Sequence, residues 1–397
     1  MDKRKTAGNT RISAKTKQTK IKRSAEKKKT AGRTKGQIDY TFLTIIIVIV
    51  CAGLVMLLSA SAPAASRKFG DPYRLFFKQF IFACAGFFAM FVISRIDYRR
   101  YRKHTKQLMI FCIVLLAMVF LPVIGVEHNG SRRWINLIVT EFQPSELMKV
   151  SIAMFFASEI ESKRHDLKTL PGLMFFFFWL AIPVGLIMFE THFSGTIIIC
   201  GIAVVIMIVG GMSMKLIAGG AAVVLPLGAL FVWNDKVRKA RVLSFLQPFA
   251  DTKHTGYQVV QGLYAIGSGG LFGLGLGQSV QKFTYLPEPY NDFIFAIICE
   301  ELGFVGAVFV MALFAVLIFR GIRIALNAPD VFGMLTVVGI MAQIGIQTIF
   351  NIAVVTSSIP NTGVTLPFFS YGGTALLVLL AEMGIVLNVS RYSKKSV

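Results

Sequence analysis

Ten apolar runs separated by short polar or basic connections constrain this chain more than any other feature. They lie near residues 41–62, 76–93, 108–126, 145–160, 173–189, 194–212, 216–233, 293–319, 332–354 and 367–389. A hydrocarbon layer about 30 Å thick takes roughly 20 such residues as a helix. With 55% hydrophobic residues and a mean hydropathy of +0.66, the chain is too apolar for a soluble domain of 397 residues. The expected fold is an all-α polytopic membrane protein of about ten transmembrane helices. The run at 145–160 is the weakest of them, being short and opening on charges.

Lysine and arginine set the orientation, because cytoplasmic connections carry an excess of both. Residues 1–36 hold 14 Lys/Arg against Asp2 and Glu26. That segment has hardly an apolar side chain, so residues 1–39 read as a disordered basic tail. It lacks the apolar stretch and small-residue cleavage site of a signal peptide. A membrane protein with such a tail is expected to anchor it on anionic lipid at the cytoplasmic face, in preference to nucleic acid. Basic connections at 94–107, 161–172 and 320–331, and Arg391, Lys394 and Lys395 at the end, fall on the same side if the spans are even in number. Both termini are then cytoplasmic, with a ten-helix domain over 40–392 and a short cytoplasmic end at 393–397. The cysteines (Cys51, Cys84, Cys112, Cys200 and Cys299) each lie inside an apolar run, which reads as buried helix packing, not a disulfide framework.

The outer connections then include a long one between helices 7 and 8, residues 234–292. Long ordered loops in compact proteins usually carry function. Two outer segments break the charge rule: Arg132 with Arg133, and Lys236, Arg238, Lys239 and Arg241. Six cations in two short stretches point to an anionic partner at the outer surface, or to snorkelling toward lipid phosphates.

Soluble-enzyme motifs fail. Gly273-Leu-Gly275-Leu-Gly277 has the wrong spacing for a phosphate loop and no Lys-Ser/Thr after it. The five histidines are scattered. Four other segments place polar residues beside apolar runs. Asn129 to Asn136 is followed by Gln143-Pro-Ser-Glu146-Leu-Met-Lys149. Glu146 and Lys149 share a helix face, forming either a structural ion pair or a polar cavity floor. The turn Glu190-Thr-His192-Phe-Ser194 joins two spans. The stretch from Arg238 and Arg241 through Gly256-Tyr-Gln258 and the glycines at 267–277 ends at Leu286-Pro-Glu288-Pro-Tyr-Asn-Asp292. Asp292 starts a span, where it is either an N-cap or a general base facing outer cations. Leu366-Pro-Phe-Phe-Ser370-Tyr-Gly-Gly373 breaks the helix and reads as cavity lining.

Taken together and in order, these segments resemble the SEDS proteins (shape, elongation, division and sporulation) over about residues 40–392. The matching stretches are Arg133-Trp134-Ile135 with Gln143-Pro-Ser-Glu146; Gly256-Tyr-Gln258 with Ala265-Ile-Gly-Ser-Gly-Gly270; Leu286-Pro-Glu288 with Asp292-Phe-Ile-Phe295 and Glu300-Glu301-Leu-Gly303; and Leu366-Pro-Phe with Ser370-Tyr-Gly-Gly373. Gly275-Leu-Gly-Gln-Ser-Val-Gln-Lys282 is more similar to the division and sporulation branch (FtsW, SpoVE) than to the rod-elongation branch. Two positions depart from the family: His192 stands where an Asp is common, and Tyr290-Asn291 replace a common His-Thr. A mechanism needing a histidine before the catalytic Asp therefore does not transfer.

The resemblance implies a peptidoglycan glycosyltransferase that polymerises lipid II (undecaprenyl-pyrophosphate-linked disaccharide pentapeptide) into β-1,4 glycan. It also implies a class B penicillin-binding protein as transpeptidase partner, among other divisome or sporulation proteins. The family's catalytic Asp falls on Asp292, and an important Trp falls on Trp134. Arg133, Arg238 and Arg241 suit a pyrophosphate clamp. Glu288, Lys149 and Ser370 complete the expected substrate-contacting set. A divalent cation, Mg or Mn, could assist departure of the pyrophosphate, without a recognisable ligand set. Two rivals stay open: a lipid II flippase using Glu146, Lys149, Glu300, Glu301 and Glu382, and a non-catalytic division scaffold.

Overall fold

Inside a bilayer every backbone N–H and C=O must be satisfied within the protein, which helices achieve alone. The computed structural model follows that rule. It describes residues 36–393 apart from 129–130, 138–139, 164 and most of 235–255. Residues 1–35 of the expected basic tail and the cations Arg238 and Arg241 therefore lie outside the described residues, whereas 36–39, expected to be disordered, are ordered against the bundle, the Gly36 amide donating to the Arg391 carbonyl at 2.9 Å.

Ten helices coincide with the ten apolar runs: α1 (Tyr40–Phe69), α2 (Arg74–Arg95), α3 (Thr105–Met118), α4 (Pro144–Ser162), α5 (Leu170–Phe189), α6 (Phe193–Val209), α7 (Met214–Asn234), α10 (Ile294–Leu326), α11 (Val331–Val355) and α12 (Gly373–Ser390). Two more, α8 (Tyr257–Gly269) and α9 (Gln281–Thr284), form within the long connection before α10. Among the described residues, six helices are long and apolar enough to cross a membrane by length and composition: α1, α2, α5, α10, α11 and α12. This is a multi-pass membrane protein. Its outward faces carry exposed Ile81, Phe88, Phe111, Phe178, Phe309 and Phe319, side chains that suit lipid.

Local chemistry sets the helix ends. Asp39 accepts from the Phe42 amide at 2.9 Å to begin α1, and Asp330 accepts from Gly333 at 2.8 Å to begin α11. Each satisfies an amide that the first turn leaves orphaned. One end of the bundle is stapled across the chain. Arg320 pairs with Asp39 at 2.8 Å, Ser390 accepts from the Asp39 amide, and Asn388 joins the Tyr98 amide to the Ser94 carbonyl. Small residues let helices approach: a Cβ on Gly384 of α12 would run into the Met90 backbone of α2.

The structure departs from the apolar pattern in two places. The run at 108–126 is helical only to Met118. It then turns into a small antiparallel sheet, β1 (Gly125–His128), β2 (Ser131–Asn136) and β3 (Glu141–Phe142). The run at 293–319 extends to Leu326, giving α10 33 residues. That is roughly 50 Å at 1.5 Å per residue, more than a bilayer needs. The excess is split off at Gly303, whose φ of 67° and ψ of −168° interrupt the helix.

The break at Gly303 organises the outer loop. Glycine is required there because the backbone is left-handed and a Cβ would strike the Gly273 amide and the Leu271 carbonyl. The loop after α8 supplies the lost hydrogen bonds. The amides of Leu274 and Gly275 donate to the carbonyls of Glu300 and Glu301, and those of Phe304 and Val305 donate to Gly270 and Leu271.

Candidate functional site

Four segments remote in sequence meet at the start of α10. α8 contributes Gln258 from its first turn. The connection to α10 contributes Pro287, Glu288, Tyr290 and Asp292. α11 contributes Asn351, and the chain before α12 contributes Asn361 to Tyr371. Asp292 is half-buried. α10 begins at Ile294 with Phe293 at its N-cap, so Asp292 stands one residue outside the cap position.

Amides hold this corner. Asn351 Nδ2 donates to the carbonyls of Asp292 and Val364, both at 2.7 Å. It is fully buried and welds the Asp292 backbone to the 361–366 segment. Gln258 Nε2 donates to the Pro287 carbonyl at 3.3 Å and to Asp292 Oδ1 at 3.5 Å. Gln258 Oε1 accepts from Asn361 Nδ2 at 3.1 Å. The Tyr371 amide donates to the Tyr290 carbonyl at 2.9 Å, and the two rings meet edge-on at 6.0 Å. Glu288 is exposed in a tight turn with φ of 43° and accepts from Asn291 Nδ2 at 2.8 Å.

Arg133 and Trp134 lie half-buried on β2. Arg133 clasps the turn between α5 and α6: its Nη2 donates to the Thr191 carbonyl at 2.7 Å and its Nε to the Glu190 carbonyl at 3.5 Å. Glu190 in that turn is 1% exposed, and neither carboxylate oxygen has a hydrogen-bond partner among the described residues. Burial pushes its pKa up to about 8, against the opposing pull of the Arg133 charge. The sheet reaches α12 through Thr374, whose hydroxyl donates to the Glu141 carbonyl at 3.2 Å. Since Gly372 and Tyr371 precede α12, the sheet and the Asp292 corner share one end of the bundle.

Two expected site residues sit deeper. Lys149 is 3% exposed and pairs with Glu146 of the same helix at 2.7 Å. Ser370 is also buried. Its hydroxyl accepts from the Leu366 amide at 2.8 Å, and its carbonyl accepts from Gln79, so it staples the turn before α12. Arg238 and Arg241 fall outside the described residues. No group of three or more His, Cys, Asp or Glu side chains is placed to hold a metal ion among the described residues.

Gln258, Asn351 and Asn361 join the site only in the folded chain. Their signal was faint: a Gln in Gly256-Tyr-Gln258, an Asn inside a span, and an Asn in a Pro-Asn-Thr-Gly turn. Glu300 and Glu301, singled out in the sequence as charges beside a span, form a buried ion cluster behind the site. Glu301 accepts from Lys282 Nζ at 2.6 Å and from Ser59 of α1 at 2.6 and 2.7 Å. Glu300 accepts from the Ser279 hydroxyl and from the amides of Val280 and Gln281 at 3.0 and 3.3 Å.

The chain is 42% identical to Stage V sporulation protein E of Bacillus subtilis over 361 residues, which cover 90% of this chain and 98% of that protein. A probable peptidoglycan glycosyltransferase FtsW of Geobacter metallireducens is 37% identical over 357 residues, covering 90% and 95%. Among solved structures, one described as structural coordination of polymerization and crosslinking by a peptidoglycan synthase complex aligns with a TM-score of 0.77 and 27% identity, covering 89% of this chain and 98% of that one. The rod shape determining protein RodA of Thermus thermophilus aligns with a TM-score of 0.68 and 26% identity, covering 90% and 98%. Residues 40–395 match the family described as cell cycle protein, FtsW/RodA/SpoVE, and this chain, with its ten helices and its loop corner built around Asp292, belongs to that family.

Proposed function

We propose that this protein is a peptidoglycan glycosyltransferase. It polymerises lipid II into β-1,4 glycan at the outer face of the cytoplasmic membrane, for cell division or sporulation, with both termini inside. Its transpeptidase partner is a class B penicillin-binding protein. The observation that carries this reading is the half-buried Asp292 carboxylate, held where α8, the turn before α10 and the segment before α12 converge.

The chemistry follows from what the reaction needs. A sugar hydroxyl of the acceptor attacks the anomeric carbon of the donor, and the bond to the lipid pyrophosphate breaks. Asp292 takes the hydroxyl proton as the new bond forms, a contribution of about 10²–10⁴-fold for a positioned base. Negative charge grows on the departing pyrophosphate, where Arg133, Arg238 and Arg241 stabilise it electrostatically. Trp134 and Glu288 contact the substrate. Lys149 and Ser370 act from behind the site, Ser370 through the turn it holds. Attack opposite the leaving group inverts the donor centre and gives a β-linkage. The basic tail rests on anionic lipid.

The test is glycan polymerisation from purified lipid II by wild type and Asp292→Asn. Each is assayed with and without the matched penicillin-binding partner, inactivated in any glycosyltransferase of its own. Polymer from wild type and none from folded Asp292→Asn supports the reading. Equal polymer from both removes Asp292 as the base. No polymer from either, with a competent partner present, favours lipid transport or a scaffold.

A further inference from the structure

We infer that Gln258 is the positioning residue for the Asp292 carboxylate, and that its orientation is dictated by the backbone of Gly363 acting through Asn361. The inference rests on Asp292 being the base.

A side-chain amide donates only through nitrogen and accepts only through oxygen. The Gly363 N–H can only donate, and it donates to Asn361 Oδ1 at 3.1 Å. That turns Asn361 Nδ2 toward Gln258, where it donates to Oε1 at 3.1 Å. With its oxygen occupied, Gln258 presents Nε2 to two acceptors, the Pro287 carbonyl at 3.3 Å and Asp292 Oδ1 at 3.5 Å. Reversing either amide would set N–H against N–H at one end and oxygen against oxygen at the other. The direction of the relay is therefore a property of the main chain at Gly363.

The second anchor is independent. Asn351 holds the Asp292 carbonyl and the Val364 carbonyl together, so the carboxylate's backbone and its side-chain donor both refer to the same segment, 361–364. One rigid-body shift of that segment would move base and donor as a unit.

An amide is suited to this place. It does not titrate, so it orients the carboxylate without competing for the proton that Asp292 must accept. The 3.5 Å contact lies at the long end of hydrogen-bond distances. Among the described residues, the other titratable groups of this corner are Glu288 and Tyr290 on the same turn, Tyr257 beside Gln258, and Tyr371 on the segment before α12.

The experiment measures lipid II polymerisation against pH for wild type, Gln258→Glu, Gln258→Ala, Asn361→Asp and Asp292→Asn, with detergent melting of each. Gln258→Glu is nearly isosteric and puts a like charge against Asp292. Its acidic limb in kcat/KM is expected to move to higher pH by about one unit or more. Gln258→Ala is expected to lower kcat about tenfold or more with KM within about twofold, because the change falls on the base and not on binding. Asn361→Asp cannot donate to Gln258 and is expected to give a smaller loss of kcat. A Gln258→Glu protein that melts as wild type and keeps the wild-type pH profile and kcat overturns the inference, even if Gln258→Ala fails to fold. Asp292→Asn separates the two levels. If it is inactive while Gln258→Glu is unchanged, only the positioning role fails; if it is active, the base assignment falls and this inference with it.

Discussion

Asp292 and the pair Glu300–Glu301 stand eight residues apart around the start of α10, and the protein handles their charge in opposite ways. Glu300 and Glu301 are 1% and 0% exposed and surrounded by donors: Lys282, two serine hydroxyls and the loop amides of 279–281. Asp292 is half-buried and has the Gln258 amide among its contacts, at 3.5 Å. A buried carboxylate saturated with donors has no capacity left for a substrate proton, and removing a donor costs the fold. A half-buried carboxylate with a side-chain amide among its contacts keeps access to solvent and can exchange a proton. Sequence alone presents three acids near one span; the packing divides them into a scaffold and a reactive group.

The largest expected effect tests the scaffold side. Lys282→Ala removes the cation paired with the buried Glu301. Breaking a buried pair in this way costs about 3–5 kcal/mol, and the detergent melting temperature should fall on the order of 10 °C. The double variant Lys282→Met/Glu301→Gln should recover much of that loss, since replacing both partners removes the uncompensated charge. Asp292→Asn, by contrast, should leave melting unchanged. If Lys282→Ala melts as wild type, the cluster is not a clamp, and the contrast with Asp292 collapses.

A third kind of carboxylate sharpens the comparison. Glu190 is buried without a hydrogen-bond partner among the described residues, and burial raises its pKa to about 8. The folded state therefore holds a proton that the unfolded chain gives up near the ordinary value for Glu, about 4.3. The stability that this proton contributes is full below that ordinary value and is lost as pH rises through about 8. Wild type should melt several degrees lower at alkaline pH than at acid pH, and Glu190→Gln should flatten that slope while matching wild type near or below about pH 4. Melting curves across that range, with equal slopes for both proteins, would show that Glu190 is ionised and has found a partner in the fold.

Much of the fold was legible because twenty-residue apolar runs leave little choice in a bilayer. The failures are local and have physical causes. Val119 to Val126 is apolar enough to extend the third run, yet a short apolar stretch does not distinguish helix from strand, and here it feeds β1. The break at Gly303 was invisible because the hydrogen bonds it forfeits are restored by residues 270–275, some thirty positions upstream. Asp292 could be picked out as a charge at a span boundary. Gln258 and Asn361 could not, since they are neutral, lie 103 residues apart, and become a pair only when α8 folds back against the segment before α12. The same holds for Ser59 and Glu301, which meet across 242 residues.

Gly303→Ala probes the joint between the two regions. The left-handed φ alone should cost about 1–3 kcal/mol in backbone strain, and the crowding by the backbone of Gly273 and Leu271 adds to it. The strain falls on the loop that carries Lys282, so melting should drop by a few degrees and activity should follow the folded fraction. A variant that loses activity while melting normally would place Gly303 with Asp292 instead, as part of the reactive half.

The smallest expected effect concerns Ser370, which was expected to touch substrate. In the structure its hydroxyl accepts from the Leu366 amide at 2.8 Å inside a buried turn. Ser370→Ala removes that acceptor and leaves an N–H unsatisfied, at about 1–2 kcal/mol. The turn is still held by the Tyr371 amide on the Tyr290 carbonyl and by Gln79 on either side of it. Ser370→Ala should therefore melt slightly lower and keep its KM for lipid II. Should KM rise severalfold with melting unchanged, the hydroxyl leaves the turn to bind substrate, and the line between scaffold and reactive residues must be drawn on the other side of Ser370.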